Sequence, residues 1–251
     1  NTLFLCTRAN GVLKSTDGGQ SWQVKNEGLS ARNVARIFID PSTGILYLGT
    51  LYHGIFRSTD EAETWEKISD NINQAECTDM AVNPRDADTV YVATRGGVYR
   101  SVDGAYNWQR LEFDLPFFFT ESNGVEVDPY DPDYIYVSFF DHERIGEGGI
   151  FRSTDGGESW ETFSAGLPAG VYYRRMAISD YGDGTRRIFL GGIGLYYSDD
   201  LGESWQLCQG GLPSEFYYWL IETSSVDPNL VYTVNGSQPD LFYRSTDGGD
   251  T

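Results

Sequence analysis

The residues best suited by type to break a bond are Asp141, His142 and Glu143, which stand together in the stretch from Phe139 to Gly149. Two carboxylates facing each other across a cleft act as acid and base on a glycosidic bond, about 6.5 to 9.5 Å apart for inversion. Asp79, Glu121, Glu147 and Glu215 are the candidates for the second carboxylate. The competing reading of the cluster is an exposed, charged loop tip. His142 and His53 are the only histidines, and no ligand spacing joins them, so no metal is expected. There is no Ser-His-Asp pattern with supporting context, no glycine-rich phosphate loop and no zinc-type cysteine pair, and no cofactor is expected.

Binding chemistry has more material. Phe117, Phe118, Phe119, Phe140, Tyr172, Tyr173, Tyr217, Tyr218 and Trp219 gather in a few stretches together with His142, Arg174 and Arg175. Rings stack on sugar faces or anchor an interface, and arginines pair with carboxylates. The competing reading is packing, because large rings also fill the gaps between repeated elements.

What positions these residues is a repeat. The octet Ser153-Thr154-Asp155-Gly156-Gly157-Glu158-Ser159-Trp160 recurs with small changes at 15–22, 58–65, 101–108, 198–205 and, without its tryptophan, at 245–251. In each copy the aspartate, namely Asp17, Asp60, Asp103, Asp155, Asp200 and Asp247, can accept hydrogen bonds from backbone N–H groups of its own turn. The serine adds a local bond to the backbone, and paired glycines supply positive φ angles. Trp22, Trp65, Trp108, Trp160 and Trp205 then open the outgoing strand and bury a large ring beside the turn. An element written six times is a structural staple rather than a catalytic site.

Ser-x-Asp-x-Gly-x-x-Trp resembles the Asp-box, or BNR repeat. That repeat occurs in sialidases, xyloglucan-cleaving glycosidases, the sortilin ectodomain and photosystem II assembly factors, all of which are β-propellers. The resemblance covers the whole chain and implies an all-β propeller of four-stranded antiparallel blades, placed outside the cytoplasm. It does not imply sialidase activity, because Arg36-Ile37-Phe38 is not the Phe/Tyr-Arg-Ile-Pro stretch of that family, and Arg174 and Arg175 come from one repeat.

The period supports this. The octets start 43, 43, 52, 45 and 47 residues apart, and each period holds four candidate strands, as in Val34 to Asp40, Ile45 to Thr50, Gly54 to Ser58 and Thr64 to Ile68. Four of the five first strands are expected to end at Asp-Pro or Asn-Pro, which places the last of them at Glu222 to Asp227. Aligned this way, Arg36, Asp79, Gly124, Arg175 and Thr223 share one position, preceded by Ala35, Thr78, Asn123, Arg174 and Glu222. The opening period lacks a first strand and the closing one a fourth, so residues 1–251 are expected to be one partial propeller of at least six blades.

In such a meander the octets share one end of each blade, and the aromatic loops share the other. With 18 basic and 37 acidic residues the net charge is −19, which argues against a nucleic-acid or anionic-membrane partner. Twelve of those acids lie within the octets and nine more in the loops after the first strands at the same end, so the charge reads largely as solvation of that end. No apolar run approaches the roughly 18 residues of a membrane span. Cys6, Cys77 and Cys208, three in number and on different repeats, read as small buried thiols. The expected role is a non-catalytic, extracytoplasmic module that binds a protein or a glycan. The alternatives are a xyloglucanase-like glycoside hydrolase and a structural subunit of a surface assembly.

Overall fold

The structure is a computed structural model of the chain, and it describes residues 2–72, 76–113, 122–139, 149–168, 173–236 and 241–251. The described residues contain 22 strands, grouped in six antiparallel sheets. Blades two to five have four strands each, and blades one and six have three. The fold is all-β and of the propeller type, with each blade a meander in sequence order. By contact the chain divides into two units, Asn1–Glu112 with blades one to three and Phe113–Thr251 with blades four to six.

In the inner blades the second strands are the core: Leu46–Thr50 and Ile135–Phe139 are buried at every residue, whereas Leu3–Thr7 of blade one is exposed or half-buried throughout. Apolar or small residues on both faces, with little alternation, are what a strand packed against a sheet on either side requires. Fourth strands are short, as in Glu66–Lys67, where the expectation was Thr64 to Ile68. The octet accounts for the difference, because Thr64 is tied down by Asp60 and Trp65 leaves the ladder to pack elsewhere. One further ladder bond follows, from the Ile68 N–H to the Ile55 carbonyl at 2.9 Å.

The octet folds the same way in all six copies. In the fourth, Ser153 Oγ donates to Asp155 Oδ1 at 2.7 Å and accepts from the N–H groups of Asp155 and Gly157 at 3.2 and 2.8 Å. Asp155 accepts from the N–H and the hydroxyl of Ser159 at 2.9 and 2.6 Å. The turn demands left-handed backbone, and where glycine is missing other residues are forced into it: Glu61, Ala62, Ala105 and Leu201 have φ of 57°, 69°, 71° and 59°.

The tryptophan does more than sit under its own turn. Its indole N–H reaches back to the end of the preceding blade's fourth strand: Trp65 to the Lys25 carbonyl at 3.0 Å, Trp108 to Ile68 at 2.7 Å and Trp205 to Phe163 at 3.1 Å. Trp22 is 39% exposed and turns its N–H to Gly19. The indole N–H of Trp160 is buried without an acceptor among the described residues, its ring lying 4.6 Å from that of Phe113. A second tie runs the same way. The cation preceding the first, second and fourth octets donates to a carbonyl of the next octet, from Lys14 to Glu61 at 2.8 Å, from Arg57 to Gly104 at 2.5 Å and from Arg152 to Leu201 at 2.8 Å. In blade five Tyr197 holds that position. Arg187 on the adjacent strand substitutes, donating to the Gly248 carbonyl at 2.8 Å with its guanidinium 4.4 Å from the Tyr197 ring.

The sixth blade departs from the expected register. Its first strand is Tyr218–Thr223, not Glu222 to Asp227, and Leu220 rather than Thr223 takes the position of Arg36. Asp227-Pro228 still closes the loop, but Ser224, Ser225 and Val226 are inserted before it, and Val226 is 92% exposed. Proline marked the loop and not the strand end.

Candidate functional site

At the end opposite the octets, the first strand of each of blades two to six carries an extra residue. Ala35, Thr78, Asn123 and Trp219 fall between ladder pairs at register shifts. In blade five Gly191 bonds both Arg174 and Arg175 at 2.9 Å, so Arg174 is the equivalent residue. A bulge turns a side chain out of the ladder and holds it there, a device common beside binding sites. In blades five and six the two residues so presented are Arg174 and Trp219, and both are exposed.

The loops entering these bulges are fastened alike. Tyr173 donates its hydroxyl to the Pro168 carbonyl and Tyr218 donates to Pro213, each at 2.9 Å. Both rings are buried, at 7% and 0% exposure, so the two tyrosines expected on a binding face are clasps within the core. Arg175 is likewise buried. Tyr217, half-buried, is pinned from both sides: it bridges Ile193 in the turn of blade five, and its carbonyl accepts from the Gly236 N–H at 2.9 Å.

Four side chains therefore share this end of blades five and six. The Arg174 guanidinium lies 5.8 Å from the Tyr217 ring centre, within cation–π range. Ile193 and Trp219 are each 43% exposed. The Trp219 indole lies against Gly236, where an added Cβ would meet three ring atoms at 3.3 to 3.5 Å. Backbone thus supports one face of the ring.

Among the expected catalytic carboxylates, Asp79 is buried and Glu215 is exposed in the loop before Trp219. Asp141, Glu143, Glu121 and Glu147 lie outside the described residues, as do Phe117, Phe118, Phe119, Phe140, His142 and Tyr172. The described residues contain no group of three His, Cys, Asp or Glu arranged to hold a metal, and no helix long and apolar enough to cross a membrane. The three cysteines are free thiols, and burial pushes Cys6 and Cys208 up to about 12.

A family model for sortilin, "Sortilin, neurotensin receptor 3", matches residues 53–168, and the BNR/Asp-box repeat model matches residues 196–207. The fold is that of an Asp-box, BNR-type propeller. Solved structures similar to this Asp-box propeller include an ancestral GH74 enzyme, with a TM-score of 0.76 and 22% identity over 97% of this chain and 34% of its own. YCF48 bound to a D1 peptide matches with a TM-score of 0.64 and 17% identity, over 99% of this chain and 75% of its own. An extracellular domain from B. thetaiotaomicron, BT4673, matches with a TM-score of 0.68 and 14% identity, over 98% of this chain and 32% of its own. At these identities the likeness is one of fold. The chain spans about a third of the length of the GH74 and BT4673 structures. No curated protein sequence matches it.

Sequence reasoning singled out Arg174, Tyr217 and Trp219 but not their relationship, and it did not single out Ile193. The signal was available in the spacing: Pro168 to Tyr173 and Pro213 to Tyr218 are both five residues, and aligning on them sets Arg174 opposite Trp219.

Proposed function

We propose that this Asp-box propeller is a non-catalytic, extracytoplasmic binding module, and that its ligand, a protein partner or a glycan, docks on the loop end of blades five and six. The observation that carries the reading is the pair of equivalent bulges presenting Arg174 and Trp219 beside Tyr217. A cation and a backbone-supported indole, held by ladder bonds rather than by a free loop, are pre-organised contact groups, and such groups lose little entropy on binding. Rings and arginines of this kind dominate binding energy where they occur at interfaces. The fold-level relatives include one bound to a peptide and one named as a xyloglucanase, and both classes of ligand suit an aromatic surface.

A glycan array and a pull-down with the purified chain, each repeated with Trp219→Ala, test the reading. Retention that falls about tenfold or more in the variant supports it; retention unchanged by the substitution sinks it. The competing reading is a GH74-type hydrolase. Release of reducing sugar from a polysaccharide by the wild type, abolished by Asp141→Asn, would establish that reading in place of ours.

A further inference from the structure

We propose that the ligand of this surface is an acidic polysaccharide, with the Trp219 indole stacking on a sugar ring and Arg174 pairing with a uronate carboxylate. The inference rests on the binding reading above and narrows it to one class of ligand.

Charge argues first. The cations at the octet end are engaged by carboxylates: Lys14 by Glu61 and Glu63, Arg57 by Glu66, Arg152 by Glu161 and Glu203, Arg187 by Asp199 and Asp250. Arg186 is held by Asp128, with Nε 2.6 Å from Oδ2. Arg174 differs. It is exposed, and among the described residues its contact is the Tyr217 ring rather than a carboxylate. Such an arginine can form a short-range, charge-assisted pair with an anion supplied from outside, although the net charge of −19 repels polyanions at longer range.

Shape argues second. The Trp219 ring is backed by Gly236, so it offers a flat platform rather than an edge, and a pyranose face matches such a platform. Position argues third. Arg174 and Trp219 are the same element of adjacent blades, each following a tyrosine clasp, so the two contacts recur along the chain direction of the fold. Contacts repeated from blade to blade suit a polymer, whose rings and carboxylates also repeat.

The test uses the intact chain at about 150 mM NaCl, which screens the net charge beyond the contact itself, and three probes: polygalacturonate, its fully methyl-esterified form and poly-glutamate, with affinities measured by titration calorimetry. Melting curves of Arg174→Gln and Trp219→Ala that match the wild type establish that both variants are folded. Polygalacturonate should bind about tenfold more tightly than the ester, since a charge-assisted pair is lost on esterification. Arg174→Gln should erase that preference, and Trp219→Ala should weaken both polymers. Equal binding of acid and ester, lost in Trp219→Ala, would overturn the anionic ligand while leaving a glycan-binding surface. Preference for poly-glutamate would overturn the polysaccharide and leave a protein-binding surface. No binding of any probe, with retention on the broader array also unaffected by Trp219→Ala, would remove both readings.

Discussion

Ser153 Oγ makes three hydrogen bonds within five residues of chain, and its side chain is almost wholly buried. Ser153→Ala deletes the donor to Asp155 and leaves two backbone N–H groups without their acceptor, so it should cost about 2 kcal/mol in urea unfolding. The carboxylates respond to pH in a way that can be isolated. Bonds from the Ser159 hydroxyl and N–H and from Ser153 hold the Asp155 carboxyl down at about 2, against an ordinary value of 3.8; Asp60, Asp103 and Asp247 sit at about 2 for the same kind of reason. A carboxyl that is more acidic folded than unfolded stabilises fully above 3.8 and loses that contribution as pH falls towards 2. The stability gap between wild type and Asp155→Ala should therefore be constant from pH 7 to about 5 and shrink between about pH 4 and 2. A gap that widens on acidification would show that the carboxylate is not the stabilising form.

At the level of strands and turns, the fold depends on what passes between neighbouring blades. The turn after each fourth strand must let the next tryptophan's backbone come close. In Gly166, φ is +87° and an added Cβ would lie 2.7 Å from the Trp205 carbonyl oxygen; in Gly28 it would lie 2.1 Å from that of Trp65. Blade two solves the same problem differently, with the Asn71 amide donating to the Trp108 carbonyl at 3.1 Å. Gly166→Ala should cost about 3 kcal/mol, combining left-handed strain with a backbone clash. Gly44, with φ +75° and nothing within 4 Å, is the control, and Gly44→Ala should cost only about 1 kcal/mol. Thermal melts of the two variants separate the clash from the strain. Trp205→Phe keeps the ring but removes the bond to the Phe163 carbonyl, and it should cost about 1 to 3 kcal/mol because that acceptor is buried.

For the molecule as a whole, charge is the global variable. With a net charge of −19, self-repulsion opposes the compact state and salt relieves it. The melting temperature should rise by about 3 °C between 10 and 200 mM NaCl, where a chain held mainly by surface ion pairs would fall. The blades were legible in the sequence because the octet repeats its own local bonds, and local bonds leave a local signature. What escaped was non-local. The handing of an indole N–H to a carbonyl some 40 residues earlier, as from Trp65 to Lys25, has no pattern within either segment. The register of the sixth blade was lost because Asp227-Pro228 lay beyond three inserted residues, and with it went the equivalence of Arg174 and Trp219. Aromatic loops were identified as a set, but burial then separated Tyr173 and Tyr218 from Tyr217 and Trp219. The tryptophan and cation ties described within each unit share one property: each reaches a single adjoining blade. Duplicating or excising one period of the gene would therefore carry its fastenings along intact, so blade number is open to change by recombination while the structure of any one blade stays as it is.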